Sequence, residues 1–229
     1  MGKTNQIPLD LPHRASLERD NFLITGSNAH AVTWVDQWPN WPAPVLIIYG
    51  PPASGKTHLS CVWAQQTSAV CLDLQNYPSI DPESVLEDTK AIILDDVDAY
   101  LSNAESETFL FHLYNLAKEK NAHLMMTMTS SPNYIDFKLP DLRSRLCAAP
   151  SVAIEPPSDE ELMTILVKMF ADRQIQISMD VLNYIMPRIE RSYDVARTLV
   201  ERADSLSLAE KNKITIPLIK RVIEADIID

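Results

Sequence analysis

One stretch, Gly50-Pro51-Pro52-Ala53-Ser54-Gly55-Lys56-Thr57, carries the spacing G-x-x-x-x-G-K-[ST]. Residues of these types in this order suit one task, holding a polyphosphate. Gly50 and Gly55 let the backbone approach the phosphates, and the amides of Pro51 to Lys56 that carry N–H groups can point at them. Lys56 supplies a point charge, and Thr57 offers a hydroxyl ligand for Mg²⁺. With only four glycines against 16 prolines in 229 residues, each glycine is expected where nothing else fits.

A second candidate set lies downstream. Ile92-Ile93-Leu94 runs into Asp95-Asp96. If the apolar run is a parallel strand, its carboxyl end opens onto the ligand crevice. Asp95 can then hold Mg²⁺ directly or through water. Asp96 can orient or activate the attacking water. Asp98 reads as solvated surface.

These side chains need a scaffold. Val45-Leu46-Ile47-Ile48-Tyr49 is a continuous apolar run, as expected of a strand covered on both faces. It leads into the glycine loop, and a helix from about Lys56 to Gln66 leads out. Further strands are expected over 69–73, 91–95, 123–129 and 151–154, with helices over 28–37 and 105–120. Strands separated by helices predict an α/β fold with a five-stranded parallel sheet flanked by helices. Pro156-Pro157 breaks the chain, and Ser158-x-x-Glu161 is a capping box. Helices follow at 179–187, 193–209 and from Pro217 to about Asp226. The expected organisation is an arm at 1–20, a nucleotide-binding α/β domain at 21–155 and a small all-helical lid at 156–229.

Net charge is −11. Neither residues 158–229, with 10 basic against 13 acidic side chains, nor the remainder is net basic. Autonomous grip on DNA phosphates is therefore disfavoured. No run of 18 apolar residues and no apolar N-terminal stretch occurs, which predicts a cytoplasmic chain without a membrane span. Cys61, Cys71 and Cys147 lack metal-ligand spacing and read as buried free thiols.

Together these motifs make the chain resemble the Hda-like, DnaA-related AAA+ regulators of bacterial replication initiation. The resemblance spans about residues 6 to 225. Asp20 to Asn28 resembles the family's opening motif near the adenine. Met128-Thr129-Ser130-Ser131-Pro132 stands at the sensor 1 place, and Leu139 to Leu146 resembles the arginine-finger box. Arg191-Ser192-Tyr193 resembles the sensor 2 start of a lid helix, and Lys213 to Pro217 leads into the last one. Gln6-Ile7-Pro8-Leu9-Asp10-Leu11 resembles the family's sliding-clamp peptide, whose apolar anchors would be Ile7, Leu9 and Leu11 beside Gln6. Two positions depart from the family pattern. Ala53 replaces a usual glycine, and Ser130-Ser131 stands where an acidic residue is common. Both predict slow intrinsic hydrolysis.

The resemblance implies an AAA+ P-loop NTPase that binds ATP or ADP with Mg²⁺. Gly50 to Thr57, Asp95, Ser130 and Arg191 would hold the nucleotide, and Thr57 and Asp95 the metal. Asp96 and Arg145 would be catalytic, with Arg145 acting on ATP held by DnaA. Arg143 reads as a helper or a surface residue, and Arg197 and Arg202 as solvated. Implied partners are DnaA and the β sliding clamp of DNA polymerase III, with DNA reached only through the clamp; a homo-oligomer is compatible. The competing expectations are an autonomous AAA+ ATPase that loads or remodels a replication protein, and a small-molecule P-loop kinase. The helical lid and the Arg143–Arg145 box disfavour the kinase.

Overall fold

The computed structural model describes residues 23–226. Five parallel strands lie in the order β2-β3-β4-β1-β5. They are β1 (Val45–Tyr49), β2 (Val70–Leu72), β3 (Ala91–Leu94), β4 (His123–Met128) and β5 (Ser151–Ala153). The helices of this unit are α1 (Ala29–Asp36), α2 (Lys56–Thr67), α3 (Pro82–Asp88), α4 (Ala104–Glu119) and α5 (Pro140–Ala148).

The period of two along the strands sorts side chains between two cores. Val45, Ile47, Ile92, Leu94, Met126 and Met128 face a core completed by α3, α4 and α5. Leu46, Ile48, Ile93 and Met125 face the other, with Ala31 and Val35 of α1 and Leu59 and Trp63 of α2. The central strands are covered on both sides, so their sequences are mostly apolar, with Thr127 of β4 the buried polar exception. Trp63 stacks on Trp41 and meets Trp38 edge to face.

A separate helical core follows β5. It is built from α6 (Asp159–Asp172), α7 (Met179–Ile185), α8 (Tyr193–Glu210) and α9 (Ile216–Asp226). The Ser158–Glu161 capping box closes the start of α6 in both directions.

Three expectations change. Helices α3 and α5 were not anticipated, because each is short with weak apolar periodicity; α3 nevertheless carries Asp81 as N-cap and Pro82 at its first turn. Cys71 is exposed on edge strand β2, and Cys61 and Cys147 are half-buried, so the thiols are not core residues. Asp98 is not a solvated surface group: its carboxylate accepts the Thr129 N–H at 2.9 Å and the Thr129 hydroxyl. No helix among the described residues is long and apolar enough to cross a membrane.

Candidate nucleotide-binding site

Strand β1 delivers the chain into residues 50–57, and α2 begins at Lys56 with Gly55 as its N-cap. The loop therefore sits on a helix N-terminus, where free N–H groups and the positive dipole end favour an anion. A Cβ on Gly50 would lie 2.2 Å from the Ile154 carbonyl oxygen, so only glycine lets the end of β5 pack this close. Gly55 has φ +99°, which disfavours any other residue there. Ala53 also sits in the left-handed region, at φ +60°. The glycine-to-alanine departure is thus one of backbone strain, of the order of 1 kcal/mol.

Lys56 is buried and donates to the carbonyls of Gly50 and Pro51, each at 3.0 Å. Its ammonium is held inside the loop by weak acceptors that a phosphate oxygen would replace. The Ser54 hydroxyl is buried with no hydrogen-bond partner among the described residues. An orphaned donor inside a ring of amides fits a polyphosphate.

Asp95 emerges from the carboxyl end of β3 beside this loop. Its Oδ2 accepts the Thr57 hydroxyl at 2.9 Å, and its other oxygen accepts the hydroxyl of Thr127. Hydroxyl and carboxylate thus stand side by side, the two oxygen donors that would hold a Mg²⁺ ion brought by a nucleotide. Among the described residues no cluster of three or more His, Cys, Asp or Glu side chains forms a protein-only metal cage.

Asp96 is exposed, with φ +48°, and its N–H is held by Thr127 Oγ1 at 2.8 Å. Burial raises its carboxyl pKa, as do the charges of Asp95 and Asp98, while Lys56 opposes them. A carboxylate with raised proton affinity is better suited to receive a proton from water. Thr127, fully buried on β4, organises both aspartates and was missed in the sequence, where it reads as one more strand residue. Ser130 is exposed two residues beyond β4.

The lid closes over the loop from α8. Ser192 is its N-cap, receiving the Val195 N–H, and donates to the Ala53 carbonyl at 3.1 Å. The strained loop residue is thus tied to the lid. His58, on the first turn of α2, meets Tyr193 at 5.3 Å between ring centroids. Burial pulls the His58 pKa down, Asp194 raises it and Arg197 lowers it. Arg197 therefore sits one turn beyond Tyr193, where its charge reaches the helix that starts at Lys56.

Arg191 is placed differently. It makes a two-pronged ion pair with Asp159 of α6, at 2.8 and 2.9 Å, and it is largely exposed. It borders a depression formed by Gly26, Ser27, residues 155–158, Glu160 and Glu161. Glu161 bridges this region by accepting the Ser27 N–H at 3.0 Å and the Ser158 N–H at 2.7 Å.

Because the folded pKa of His58 lies below its unfolded value, stability is full above about 6.5 and declines as pH falls. The melting temperature should drop on acidification, and His58→Leu should flatten that decline. An unchanged pH profile in the variant would show that His58 contributes nothing to it.

Arg145 lies on α5 with its guanidinium 5.3 Å from the Tyr114 ring and 5.7 Å from that of Phe111. It shares a groove with Ala43, Asp141, Ser144, Ala148 and Ala149. Ala43 precedes β1 and Ala149 precedes β5, so this groove opens at the amino ends of the strands. The phosphate loop is at their carboxyl ends. Arg145 is separated from its own loop by the length of the sheet, while Arg143 is exposed on the same helix. Gln6, Ile7, Leu9 and Leu11 lie outside the described residues.

The "Hda, lid domain" family matches residues 159–223, the lid. An uncharacterized protein of Haemophilus influenzae is 28% identical over 188 residues, covering 79% of this chain and 81% of that protein. The chromosomal replication initiator DnaA of Buchnera aphidicola is 24% identical over 196 residues, covering 78% of this chain but only 45% of the initiator. Among solved structures, domain III of Thermotoga maritima DnaA superposes with TM-score 0.80 at 18% identity, covering 92% of this chain and 96% of that one. AMPPCP-bound DnaA from Aquifex aeolicus gives TM-score 0.72 at 17% identity, over 85% and 67% of the two chains. The chain is thus similar to DnaA domain III in its fold and to the Hda lid family over residues 159–223.

Proposed function

We propose that this chain is a regulatory AAA+ protein of replication initiation. It binds ATP or ADP with Mg²⁺, docks on the β sliding clamp and stimulates hydrolysis of ATP held by DnaA. The observation that carries this reading is the position of Arg145. A guanidinium at the amino ends of the strands cannot serve the loop at their carboxyl ends, so its phosphate belongs to a neighbouring molecule. The relation to DnaA, whose Aquifex aeolicus structure is bound to AMPPCP, supports that neighbour and that ligand.

Bound nucleotide would supply the phosphates, with Mg²⁺ offsetting their charge. Residues 50–57 would cradle them, with Lys56 turning from the loop carbonyls to the phosphate oxygens. Thr57 and Asp95 would hold the metal. Thr127 holds Asp95 and the Asp96 backbone, so that the Asp96 carboxylate would orient water or take its proton; Ser130, two residues beyond β4, would contact the terminal phosphate. Of the lid arginines, Arg197 is better placed than Arg191 to sense the phosphates, because it lies one turn beyond Tyr193, which meets His58 on the first turn of α2, whereas Arg191 is directed to Asp159 of α6; Arg197 itself pairs with Asp194 at 3.5 Å and Glu201 at 3.3 Å. In this reading the chain's own nucleotide mainly sets the lid angle, and catalysis occurs where Arg145 meets DnaA.

Docking would use Gln6, Ile7, Leu9 and Leu11 as an extended peptide with apolar anchors. The acidic net charge fits protein partners, with DNA reached through the clamp. The site of action would then be the replisome on the nucleoid, in the cytoplasm, and self-association through the Arg145 face is compatible with this arrangement.

One observation favours a second reading. The chain's own Thr57–Asp95–Asp96 set is complete, as in an autonomous ATPase that loads or remodels a replication protein. A rate comparison separates the two. ATP-bound DnaA should hydrolyse faster on addition of this chain, and only with clamp loaded on DNA. Fast turnover by the isolated chain, with no effect on DnaA, would favour the autonomous enzyme.

A further inference from the structure

Glu107 is fully buried on the first turn of α4, outside the nucleotide site. Its carboxylate accepts three backbone N–H groups: Ser102 at 2.7 Å and Lys138 at 3.0 Å on Oε1, and Leu139 at 2.6 Å on Oε2. A carboxylate removed from water needs donors of this number to remain there. An apolar side chain here would leave three N–H groups without acceptors, so the carboxylate ties together the segments that carry them.

The donors come from two segments. Ser102 ends the turn that follows Asp95 and Asp96, and holds a left-handed φ of +71°. Lys138 and Leu139 lead into α5, of which Leu139 is the N-cap. Other bonds join the stretch 95–102 to residues 127–136, the chain that runs from β4 toward Lys138. Thr127 donates to Asp95 and accepts from the Asp96 N–H; Asp98 accepts the Thr129 N–H; the Ser102 hydroxyl donates to the Asp136 carbonyl at 2.7 Å. These bonds form a ladder. One end is the carboxylate that faces Thr57, and the other is the start of the helix carrying Arg145.

We propose that Glu107 is a positioning residue that relays the state of the chain's own phosphate site to α5 and so to Arg145. The proposal rests on the reading of Arg145 given above. A ligand at Thr57 and Asp95 fixes the first rung. The turn over 96–102 then holds one geometry, and Glu107 transmits it because its two oxygens bind that turn and the N-terminus of α5 together. Loss of the carboxylate removes the bonds that lock the turn to Lys138 and Leu139 and leaves the Ser102–Asp136 bond alone to join them.

The test is hydrogen exchange of the full chain with and without ADP and Mg²⁺. In the parent protein nucleotide should slow exchange over 50–57 and, on the order of threefold, over 136–148. Glu107→Gln should keep the slowing at the loop and lose it over 136–148. Ser102→Ala, which leaves every bond to Glu107 in place, should shrink the same difference and gives the readout if the Gln variant does not fold. A merely structural glutamate would speed exchange of 136–148 equally with and without nucleotide; a preserved nucleotide-dependent difference would overturn the proposal. So would a parent protein in which nucleotide never reaches 136–148. Absence of any effect on DnaA would refute the role of Arg145 while leaving the exchange difference intact, so the two failures are distinguishable.

Discussion

Arg145→Ala is expected to leave nucleotide binding and clamp binding intact and to remove stimulation of DnaA by about 10³-fold or more. The size follows from what a guanidinium does at a phosphoryl group. It neutralises charge that develops on the transferred phosphate, in a site where water cannot. Arg145→Lys should recover little, because an ammonium lacks the planar fork and would not lie over Tyr114 and Phe111 in the same way. The two rings hold the guanidinium by cation–π attraction, which is worth about 0.5–2 kcal/mol. The alanine variant should therefore melt slightly lower, and stimulation must be compared at a temperature where both proteins are folded. Single-turnover hydrolysis of ATP preloaded on DnaA reads the effect. Stimulation equal to that of the parent would remove Arg145 from the mechanism.

Lys56→Ala should weaken ATP and ADP binding by about 2–4 kcal/mol, or about 30- to 800-fold. Lys56 is the loop's own buried cation, and its present partners are two neutral carbonyls. Exchanging them for phosphate oxygens gains charge-assisted bonds in a partly dry setting. The alanine variant loses that gain and keeps only amides and helix dipole. Circular dichroism should confirm that the fold survives, because Lys56 also ties Gly50 and Pro51 to α2. Affinity within threefold of the parent would mean that the loop does not grip phosphate as described.

How much of this could be read from the sequence depends on whether a feature is local. The phosphate loop, the Asp95–Asp96 pair and the Ser158–Glu161 box are contiguous strings whose chemistry needs neighbours a few residues away, and each was legible. Strands β1 and β3 were legible because burial on both faces leaves an unbroken apolar run. Thr127, Ser192 and Glu107 were not. Each looks ordinary in its own element and gains its role from a partner 31 to 139 positions distant. Asp98 follows the same rule, since its partner Thr129 lies 31 positions on, just beyond the end of β4. The lid arginines show the limit in another way. Arg191 occupies the expected position in the string, but Asp159 of α6 holds it, and Arg197, one turn into α8, is the charge felt by His58. Helical phase and the packing of α6 decide this, and neither is visible in a motif. Helices α3 and α5 escaped notice because short helices have too few turns to show a period.

Ala53 joins the two kinds of information. Its identity was visible as a departure from a usual glycine. That it adopts φ +60° and is held there by Ser192 is a fact of the fold. The lid thus helps hold a loop geometry that the residue itself resists.

The most direct measurement is calorimetric titration of the whole chain with ADP and with ATP in the presence of Mg²⁺, set beside Lys56→Ala. One site per chain, with heat that saturates and an affinity that falls sharply in the variant, is the expected result. No binding heat with either nucleotide, or equal binding by the parent and the variant, would contradict the assignment of residues 50–57 as a phosphate cradle.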